Sequence, residues 1–339
     1  MKSNELINDL LTVAEITTLI EEGEYLLVAG DEKLLNELPE GNWIAGTSPY
    51  FMTPQGALTT RDKLFVTKLP SYFENIKIKS YDETNIDQVY NDGFDNGVSF
   101  IIIPSSSAVH LKFAVGAPNY ENFATKPLIG WISGFHLDDM LTATPKVFNG
   151  FSSENSSNLA VVMHASLPPT KYAEINIINL FEQGNGDTVE FLEDGFVITD
   201  IVVNGAKRNF YEYLKEIKHD LKFPLVANYQ GAMINVSYQR LDDEKKIVHL
   251  YTPVFRGMEY RHASKIKDYL TEYGKLMPKD DLDSISFSCN CILNYVYSEL
   301  EGKTTEGVIG PFAFGEVAYQ LLNQTLAYLT INNYSESDD

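Results

Sequence analysis

The run VSFIIIP, from Val98 to Pro104, is the stretch of sequence that decides the fold. It is apolar throughout and has the length of one strand, which is typical of a strand covered on both faces. Upstream, Thr12 and Glu15 have the spacing of a capping box, and Gly23 ends the helix that this box begins. The apolar run from Glu24 to Gly30 predicts a buried strand directly after it. Strands and helices therefore alternate in the first part of the chain, as they do in layered α/β packing.

Downstream of this region the pattern becomes rich in strands. Leu159 to Ala165, Glu174 to Leu180 and Phe196 to Val203 are β-rich runs separated by turn-forming residues. Ser284 to Cys291 alternates, so that Ile285, Phe287, Cys289 and Cys291 share one face of a strand. The sequence predicts an α+β fold with two large mixed β-sheets flanked by helices in layers, in which the two halves can pack sheet against sheet.

Composition limits the classes of partner. The chain has 339 residues and a formal net charge of -21, which repels nucleic acid and anionic lipid surfaces. No apolar run approaches the roughly 20 residues of a membrane helix, and the amino terminus lacks the apolar stretch of a signal peptide. Only Cys289 and Cys291 are present, too few for a secreted disulfide framework. We therefore expect a cytoplasmic protein with no nucleic acid or membrane partner.

Most catalytic and metal-binding motifs are absent from the sequence. The segment from Gly130 to Gly134 has a serine among glycines, but its spacing differs from that of a nucleophile elbow. Cys289 and Cys291 form a C-x-C pair without a second cysteine pair, and both lie on the apolar face of a predicted strand, which favours buried packing over metal or redox chemistry. The six histidines are scattered without metal-ligand spacing. We expect a protein that is not an enzyme and that holds no cofactor.

One polar turn stands out near the amino terminus. Gly46, Thr47 and Ser48 follow a predicted strand, and a tight turn of this composition can present amides and hydroxyls to an anionic group. An ordinary turn capped by hydroxyl groups has the same composition. Near the other end, Gly315-Glu316 puts a carboxylate beside a flexible backbone, and Asn323 to Thr325 offers mixed donors and acceptors.

Three stretches in order resemble the FIST family of sensory domains. The first is Tyr25 to Val66, a strand–helix unit that ends in the Gly-Thr-Ser turn. The second is Pro145 to Leu214, where Thr199 and Gly205 match a strand that leads into a helix. The third joins Phe287-Ser288-Cys289, Gly310 to Glu316 and Asn323-Gln324-Thr325 and resembles the family's carboxy-terminal signature, with Phe314 and Leu322 replacing its Tyr and His. The opening WIAGTSPYFM is also similar to that of an uncharacterised bacterial family.

The resemblance implies a division into a FIST N-like region, 1–218, and a FIST C-like region, 219–334, followed by a disordered acidic tail, 335–339. The boundary is soft and falls near Lys218 to Pro224. It also implies a stand-alone sensor that binds a small ligand such as an amino acid and needs a separate signalling protein as its partner. The ligand-binding residues would be Gly46, Thr47, Ser48, Tyr50, Cys289, Glu316, Asn323 and Thr325.

Three alternatives remain open at this stage. The protein could be a haem- or gas-binding sensor, since one axial histidine leaves no spacing signature. It could be a hydrolase with Cys289 as its nucleophile, although no base or positive charge lies near this residue in the sequence. Finally, Glu316 and Asn323 could be structural, satisfying buried backbone groups and holding the last strand.

Overall fold

The computed structural model describes residues 7–229, 232–278, 285–305 and 307–334. These residues form two compact units. The first unit holds the described residues up to Ile178, those of Leu276–Leu321, and those from Leu326 onward. The second unit consists of Asn179–Lys275 together with Leu322–Thr325. The predicted acidic tail, 335–339, lies outside the described residues.

The chain up to Asn179 begins with alternating strands and helices and then continues mainly with strands, with short 3-10 turns at Ile86–Gln88, Ala117–Asn119 and Leu137–Asp139. In chain order, its elements are β1 (Ile7–Leu11), α1 (Val13–Glu21), β2 (Leu26–Gly30), α2 (Glu32–Leu35), β3 (Trp43–Thr47), β4 (Tyr50–Thr53), β5 (Gly56–Thr59), β6 (Leu64–Lys68), β7 (Ile76–Tyr81), β8 (Gly97–Pro104), α3 (Ala108–Gly116), β9 (Leu128–Ser133), β10 (Val147–Asn149), β11 (Glu154–Ser156), β12 (Ala160–Ser166) and β13 (Lys171–Asn179).

The rest of the chain continues this numbering. The strands and helices that follow are β14 (Gln183–Phe191), β15 (Gly195–Ile198), β16 (Asp200–Val203), β17 (Ala206–Asn209), α4 (Phe210–Glu216), β18 (Leu225–Tyr229), β19 (Ala232–Val236), β20 (Tyr238–Asp242), β21 (Ile247–Val254), β22 (Glu259–Ala263) and α5 (Tyr269–Leu276). The last elements are β23 (Ile285–Cys291), α6 (Ile292–Tyr297), β24 (Gly310–Ala313), β25 (Glu316–Ala318), β26 (Gln320–Leu322) and β27 (Thr325–Asn333).

The first unit contains three six-stranded sheets. Sheet I has the order β1-β6-β2-β3-β10-β11, sheet II the order β26-β25-β9-β8-β12-β7, and sheet III the order β13-β27-β23-β24-β4-β5. Each sheet is mixed, because β2 and β3, β8 and β9, and β23 and β24 pair in parallel while their other recorded pairings are antiparallel. The second unit holds a six-stranded sheet, β17-β16-β14-β22-β18-β19, and a three-stranded sheet, β15-β21-β20.

Local sequence signals determine where helix α1 begins and which face it packs on sheet I. The capping box is present: the Thr12 side chain accepts from the amide of Glu15, and the Glu15 carboxylate accepts from the amide of Thr12. The helix then buries Ile16 and Ile20 in the same cluster as Val28 of sheet I. Burial of such side chains contributes about 1.5–3 kcal/mol each and fixes the helix on the sheet.

The sheets of the first unit pack face to face. Every residue of β8 is buried between the parallel strand β9 and the antiparallel strand β12, which confirms the strand that VSFIIIP predicts. Trp131 of sheet II stacks on Phe287 of sheet III with ring centroids 5.8 Å apart. Gly46 brings sheet I against sheet II, since a Cβ there would lie 2.5 Å from Ile102 Cγ2.

The chain does not divide where the sequence suggested. The segment from Lys218 to Pro224 lies inside the second unit, between α4 and β18. Leu214 of α4 and Leu225 of β18 belong to one buried cluster, so a boundary between them would split a single core. The segment from Lys218 to Pro224 is therefore a connection inside the second unit and not a boundary between units.

The predicted α+β class, with mixed sheets flanked by helices, is confirmed. The described part of the chain has five sheets rather than two large ones. Sheets I to III all belong to the first unit, and they form the layers predicted from the apolar runs. Among the described residues, none of the helices combines the length and apolar character needed to span a bilayer.

Candidate functional site

Three strands of the first unit end side by side around one depression. β2 and β3 run parallel and end at Gly30 and Thr47, and β9 ends at Ser133. The amide of Gly134 donates to the carbonyl oxygen of Thr47 at 2.8 Å, which holds the ends of β3 and β9 together. In sheets with parallel strands, the crevice beyond the carboxyl ends of the strands is the usual place for a ligand.

A cleft of about 340 Å³ opens at this point, and we call it the strand-end cleft. Its volume falls within the range of roughly 300–1,000 Å³ that small-molecule sites occupy. Its lining residues come from the segments that follow β2, β3 and β9; they are Gly30, Asp31, Glu32, Lys33, Asn36, Thr47, Ser48, Pro49, Gly134, Phe135, His136, Asp139, Ala143 and Thr144.

Charges of both signs surround the strand-end cleft. Glu32 Oε1 lies 2.5 Å from Lys146 Nζ, and Asp139 Oδ2 lies 2.7 Å from Arg61 Nη2. The Asp31 carboxylate accepts a 3.0 Å hydrogen bond from the amide of Lys33. In each ion pair one carboxylate oxygen is engaged, and an ionised carboxylate has further acceptor positions. The cleft thus presents carboxylates that are held in place by cations just outside it.

His136 supplies an imidazole to the same cleft. Its Nδ1 accepts a 3.2 Å hydrogen bond from the amide of Asp138, and its ring stacks on Tyr50 with centroids 5.5 Å apart. Because Nδ1 acts as an acceptor, the neutral ring carries its proton on Nε2, which is then a donor. An axial haem ligand would need the opposite tautomer, with a lone pair on Nε2. The haem alternative therefore gains no support from this histidine and stays a prediction.

Thr47 and Ser48 lie at the floor of the cleft, but their donors are already used. The Thr47 hydroxyl donates to the carbonyl oxygen of Gly134 at 2.6 Å, and the Ser48 hydroxyl donates to that of Phe312 at 2.5 Å. The Thr47 amide donates to the carbonyl oxygen of Lys146, and the Ser48 amide to that of Gly30. The expected turn with exposed amides and hydroxyls is corrected accordingly: carbonyl oxygens, not an anion, take these four donors.

Tyr50 and Gly46 support the cleft from beneath. Tyr50 is 5% exposed, and its hydroxyl accepts from the amide of Leu137 at 2.9 Å. Burial raises the pKa of the Tyr50 phenol, so the hydroxyl stays protonated. Gly46 contributes close packing rather than a ligand contact, because a Cβ there would also come within 3.1 Å of Ser133 Cβ.

Cys289 and Glu316 are both enclosed in the interior of the first unit. Cys289 is 1% exposed and its thiol donates to the carbonyl oxygen of Gly130 at 3.0 Å. Burial raises the pKa of the Cys289 thiol well above its usual value, and the Glu316 carboxylate adds to this. Glu316 pairs with Trp131 across β25 and β9 and is fully buried. An activated nucleophile needs the opposite surroundings, with a lowered thiol pKa.

Asn323 and Thr325 belong to the second unit, apart from the other predicted residues. Asn323 is 1% exposed; its Oδ1 accepts from the Ser237 hydroxyl at 2.9 Å and its Nδ2 donates to Thr252 Oγ1 at 3.2 Å. Next to it, Gln324 Nε2 donates to the carbonyl oxygen of Lys222 at 3.1 Å, and its Oε1 shares the single hydroxyl hydrogen of Ser237 with Asn323 Oδ1. Thr325 is likewise 1% exposed. The Asn323 side chain is thus buried and bonded, but to two other side chains rather than to the backbone groups that the structural alternative named.

Sequence reasoning missed the charged residues of the strand-end cleft. Asp31, His136 and Asp139 come from segments that only the fold brings together. The available signal was a polar residue directly after a buried strand, as with Asp31 after β2 and His136 shortly after β9. Within the part of the chain that the structure describes, no three His, Cys, Asp or Glu side chains form a metal-binding group.

The sequence matches one family along almost its whole length. Residues 11–332 match the Family of unknown function (DUF6976), and the chain therefore belongs to this family. No curated protein matches the sequence significantly. The family description carries no activity, and the likeness of three stretches to FIST domains stays a prediction.

Proposed function

We propose that this member of a family without assigned activity is a small-ligand-binding protein of the sensory kind, and that its ligand binds in the strand-end cleft. The observation that carries the proposal is the cleft itself: about 340 Å³ at the ends of three strands, lined by three carboxylates and an imidazole. Such a concave site with a few convergent polar groups is the usual form of a small-molecule site.

The arrangement of charge favours a zwitterionic ligand such as an amino acid. Asp31, Glu32 and Asp139 can accept from an ammonium group, and their ion pairs with cations keep two of them in place. His136 and Lys33 can donate to a carboxylate at the same site. A ligand with both signs of charge pairs with the carboxylates and with the donors. A plain anion is repelled by the chain, whose formal charge is -21.

The proposal includes a cytoplasmic setting and a separate protein that receives the signal. Both cysteines are free and buried, which suits a reducing compartment. A ligand bound among the charged residues of the cleft would change the surface formed by the segment from His136 to Thr144. That surface is where we expect a partner to distinguish the bound from the free protein.

A ligand screen tests the proposal directly. Thermal unfolding of the purified protein is measured with amino acids, small carboxylates, nucleotides and haem. A ligand present at about 100 times its dissociation constant adds about 2.7 kcal/mol to the free energy of unfolding. We expect amino acids to raise the melting temperature and plain carboxylates to leave it unchanged. Stabilisation by haem together with a Soret band would favour the gas-sensor alternative instead.

Two substitutions then locate the site. Glu32→Gln and Asp139→Asn each remove one carboxylate charge from the cleft and should weaken binding by about 1.5–3 kcal/mol, the value of a hydrogen bond to a charged group. Asp200→Asn is the control, because Asp200 forms a comparable ion pair with Lys207 at 2.9 Å in the second unit. Equal affinity in all three variants would show that the ligand does not bind in the strand-end cleft.

A further inference from the structure

We propose that Asn185, in the second unit, is a site of spontaneous covalent modification, at which deamidation converts the side-chain amide into a carboxylate. An asparagine followed by glycine favours this reaction, because glycine has no side chain to hinder its own backbone nitrogen and adapts its backbone freely. The structure separates one such pair from the others. The four pairs in the sequence are Asn96-Gly97, Asn149-Gly150, Asn185-Gly186 and Asn204-Gly205.

The reaction needs only the chain itself and water. The backbone nitrogen of Gly186 loses its proton and forms a bond to Asn185 Cγ. The bond between Cγ and Nδ2 then breaks, and this nitrogen leaves as ammonia with the proton, so that a cyclic succinimide remains. Water opens the ring at either carbonyl carbon and leaves aspartate or isoaspartate at position 185. Nothing is oxidised or reduced, so no further reactant is required.

Two of the four pairs are held inside the first unit. Asn96 Nδ2 donates to three carbonyl oxygens at 3.2, 3.0 and 3.2 Å, and Gly97 is buried as the first residue of β8. Asn149 is 6% exposed, and the amide of Gly150, which would have to attack it, donates to the carbonyl oxygen of Trp43 at 2.9 Å. The reaction at either pair must first break these contacts.

Asn204 is exposed, but both ends of its side-chain amide are held. Its Oδ1 accepts from the amide of Thr188 at 3.0 Å, and its Nδ2 donates to Asp187 Oδ1 at 2.7 Å. Both hydrogen bonds must break before the side chain can turn toward the nitrogen of Gly205. Asn204 is therefore the exposed but restrained counterpart of Asn185.

Asn185 has neither restraint. Its side chain is exposed and makes no hydrogen bond to another residue that the structure describes. The pairing of β14 with β22 is interrupted between Gln183 and Thr188, where the strand bulges, and its pairing with β16 begins only at Val189. A Cβ at Gly186 would meet no atom within 4 Å, so the space beside the attacking residue is open. The side chain and the nitrogen that it must meet can therefore both rotate.

The fold tolerates both products of the reaction. Arg261 Nη1 donates to the carbonyl oxygen of Gly186 at 3.4 Å, so a cation lies close to the new carboxylate. An exposed ion pair of this kind changes the free energy of unfolding little. Isoaspartate lengthens the backbone by a methylene group, and a bulge already accommodates additional backbone. The modified chain therefore stays folded, and because ammonia is lost, the modified fraction increases with the age of the protein.

Peptide mass spectrometry of protein aged in solution tests the site. The folded protein is incubated at mildly alkaline pH, digested at intervals, and analysed for aspartate and isoaspartate in the peptides that contain the four pairs. We expect deamidation at position 185 to be at least about 5-fold faster than at position 204, where two hydrogen bonds must break first. Gly186→Ala should slow the reaction without unfolding the protein, because the methyl group enters open space but hinders the attack.

Protein unfolded in guanidinium chloride is the control for the effect of the fold. There the four pairs should react at similar rates, because the contacts that restrain three of them are lost. The proposal is overturned if position 185 reacts in the unfolded protein but stays unmodified in the folded one, or if another pair reacts as fast in the folded protein. An unchanged rate in Gly186→Ala would also contradict it. None of these outcomes bears on the strand-end cleft, because that cleft lies in the first unit.

Discussion

Thr47 Oγ1 donates a hydrogen bond of 2.6 Å to the carbonyl oxygen of Gly134, and the amide of Gly134 donates to the carbonyl oxygen of Thr47 at 2.8 Å. This reciprocal pair joins the end of β3 in sheet I to the end of β9 in sheet II. One main-chain bond and one bond from the Thr47 hydroxyl therefore fix the base of the strand-end cleft beneath its charged residues.

Replacing Thr47 by Val should destabilise the protein. The change leaves the Gly134 carbonyl without its hydroxyl donor and the Lys146 amide without its 3.0 Å acceptor in a buried position. We expect a loss of about 1–3 kcal/mol in the free energy of unfolding, measured by urea denaturation. Thr47→Ser keeps the hydroxyl and should remain close to the wild type. Equal stability of the two variants would show that the hydroxyl does not hold the sheets together.

Replacing Gly46 by Ala should also destabilise the protein, for a steric reason. The new Cβ would come within 2.5 Å of Ile102 Cγ2, so sheets I and II must move apart. Overpacking of this kind costs about 1–3 kcal/mol. Gly186→Ala is the control, because no atom lies within 4 Å of a Cβ at that position. Denaturation midpoints that shift equally in both variants would argue against close packing at Gly46.

Neither cysteine should react quickly with a thiol reagent in the folded protein. Cys289 and Cys291 are both 1% exposed, and burial raises the pKa of the Cys289 thiol. We expect slow labelling by a disulfide reagent at neutral pH and two equivalents after denaturation. Leu141→Cys places a thiol at a position that is 97% exposed and should react at once. One fast equivalent in the wild type would restore the cysteine hydrolase alternative.

The pH dependence of stability should report on His164. Burial lowers the pKa of His164 to about 3, from 6.5 in the absence of the fold. Between these values the unfolded state binds more protons, so the free energy of unfolding falls as the pH decreases from about 6.5 toward 3. The loss attributable to one such histidine is at most about 1.4 kcal/mol per pH unit.

His164→Asn and the wild type are compared by the slope of the free energy of unfolding against pH, not by its absolute value. His164→Asn also loses contacts with Ser99 Oγ at 2.7 Å and Tyr81 Oη at 2.9 Å, so it should be less stable at every pH. Its stability should nevertheless depend less steeply on pH between 6 and 4 than that of the wild type. Parallel curves would contradict a neutral, buried His164. Ring signals of His164 in NMR spectra should accordingly stay constant between pH 8 and 5.

Local patterns explain which elements could be predicted from the sequence. The capping box at Thr12 and the apolar run from Val98 to Pro104 involve neighbouring residues, so their structures follow from short-range rules. The alternation before Cys291 likewise predicts β23, although this strand is buried on its polar face as well as on its apolar face. Each of these signals is complete within about ten residues and needs no knowledge of the rest of the chain.

The strand-end cleft could not be predicted in the same way. Its carboxylates follow β2 and border β9, and only the pairing of distant strands brings Asp31 and Asp139 to one place. Glu316 illustrates the opposite difficulty: the sequence shows a carboxylate beside a glycine, but the pairing of β25 with β9 buries it completely. The boundary near Lys218 failed because packing of α4 on the strands beyond it is a long-range property.

The short segment Leu322–Thr325 makes the second unit discontinuous in the gene. Asn235 Nδ2 donates to the carbonyl oxygens of Asn323 and Gln324 at 3.2 and 3.4 Å, and Ser237 bonds both side chains. A recombination event that exchanged Asn179–Lys275 alone would leave these partners behind. Evolution would therefore have to change the two stretches together, and position 237, whose side chain bonds the side chains at 323 and 324, should covary with them among relatives.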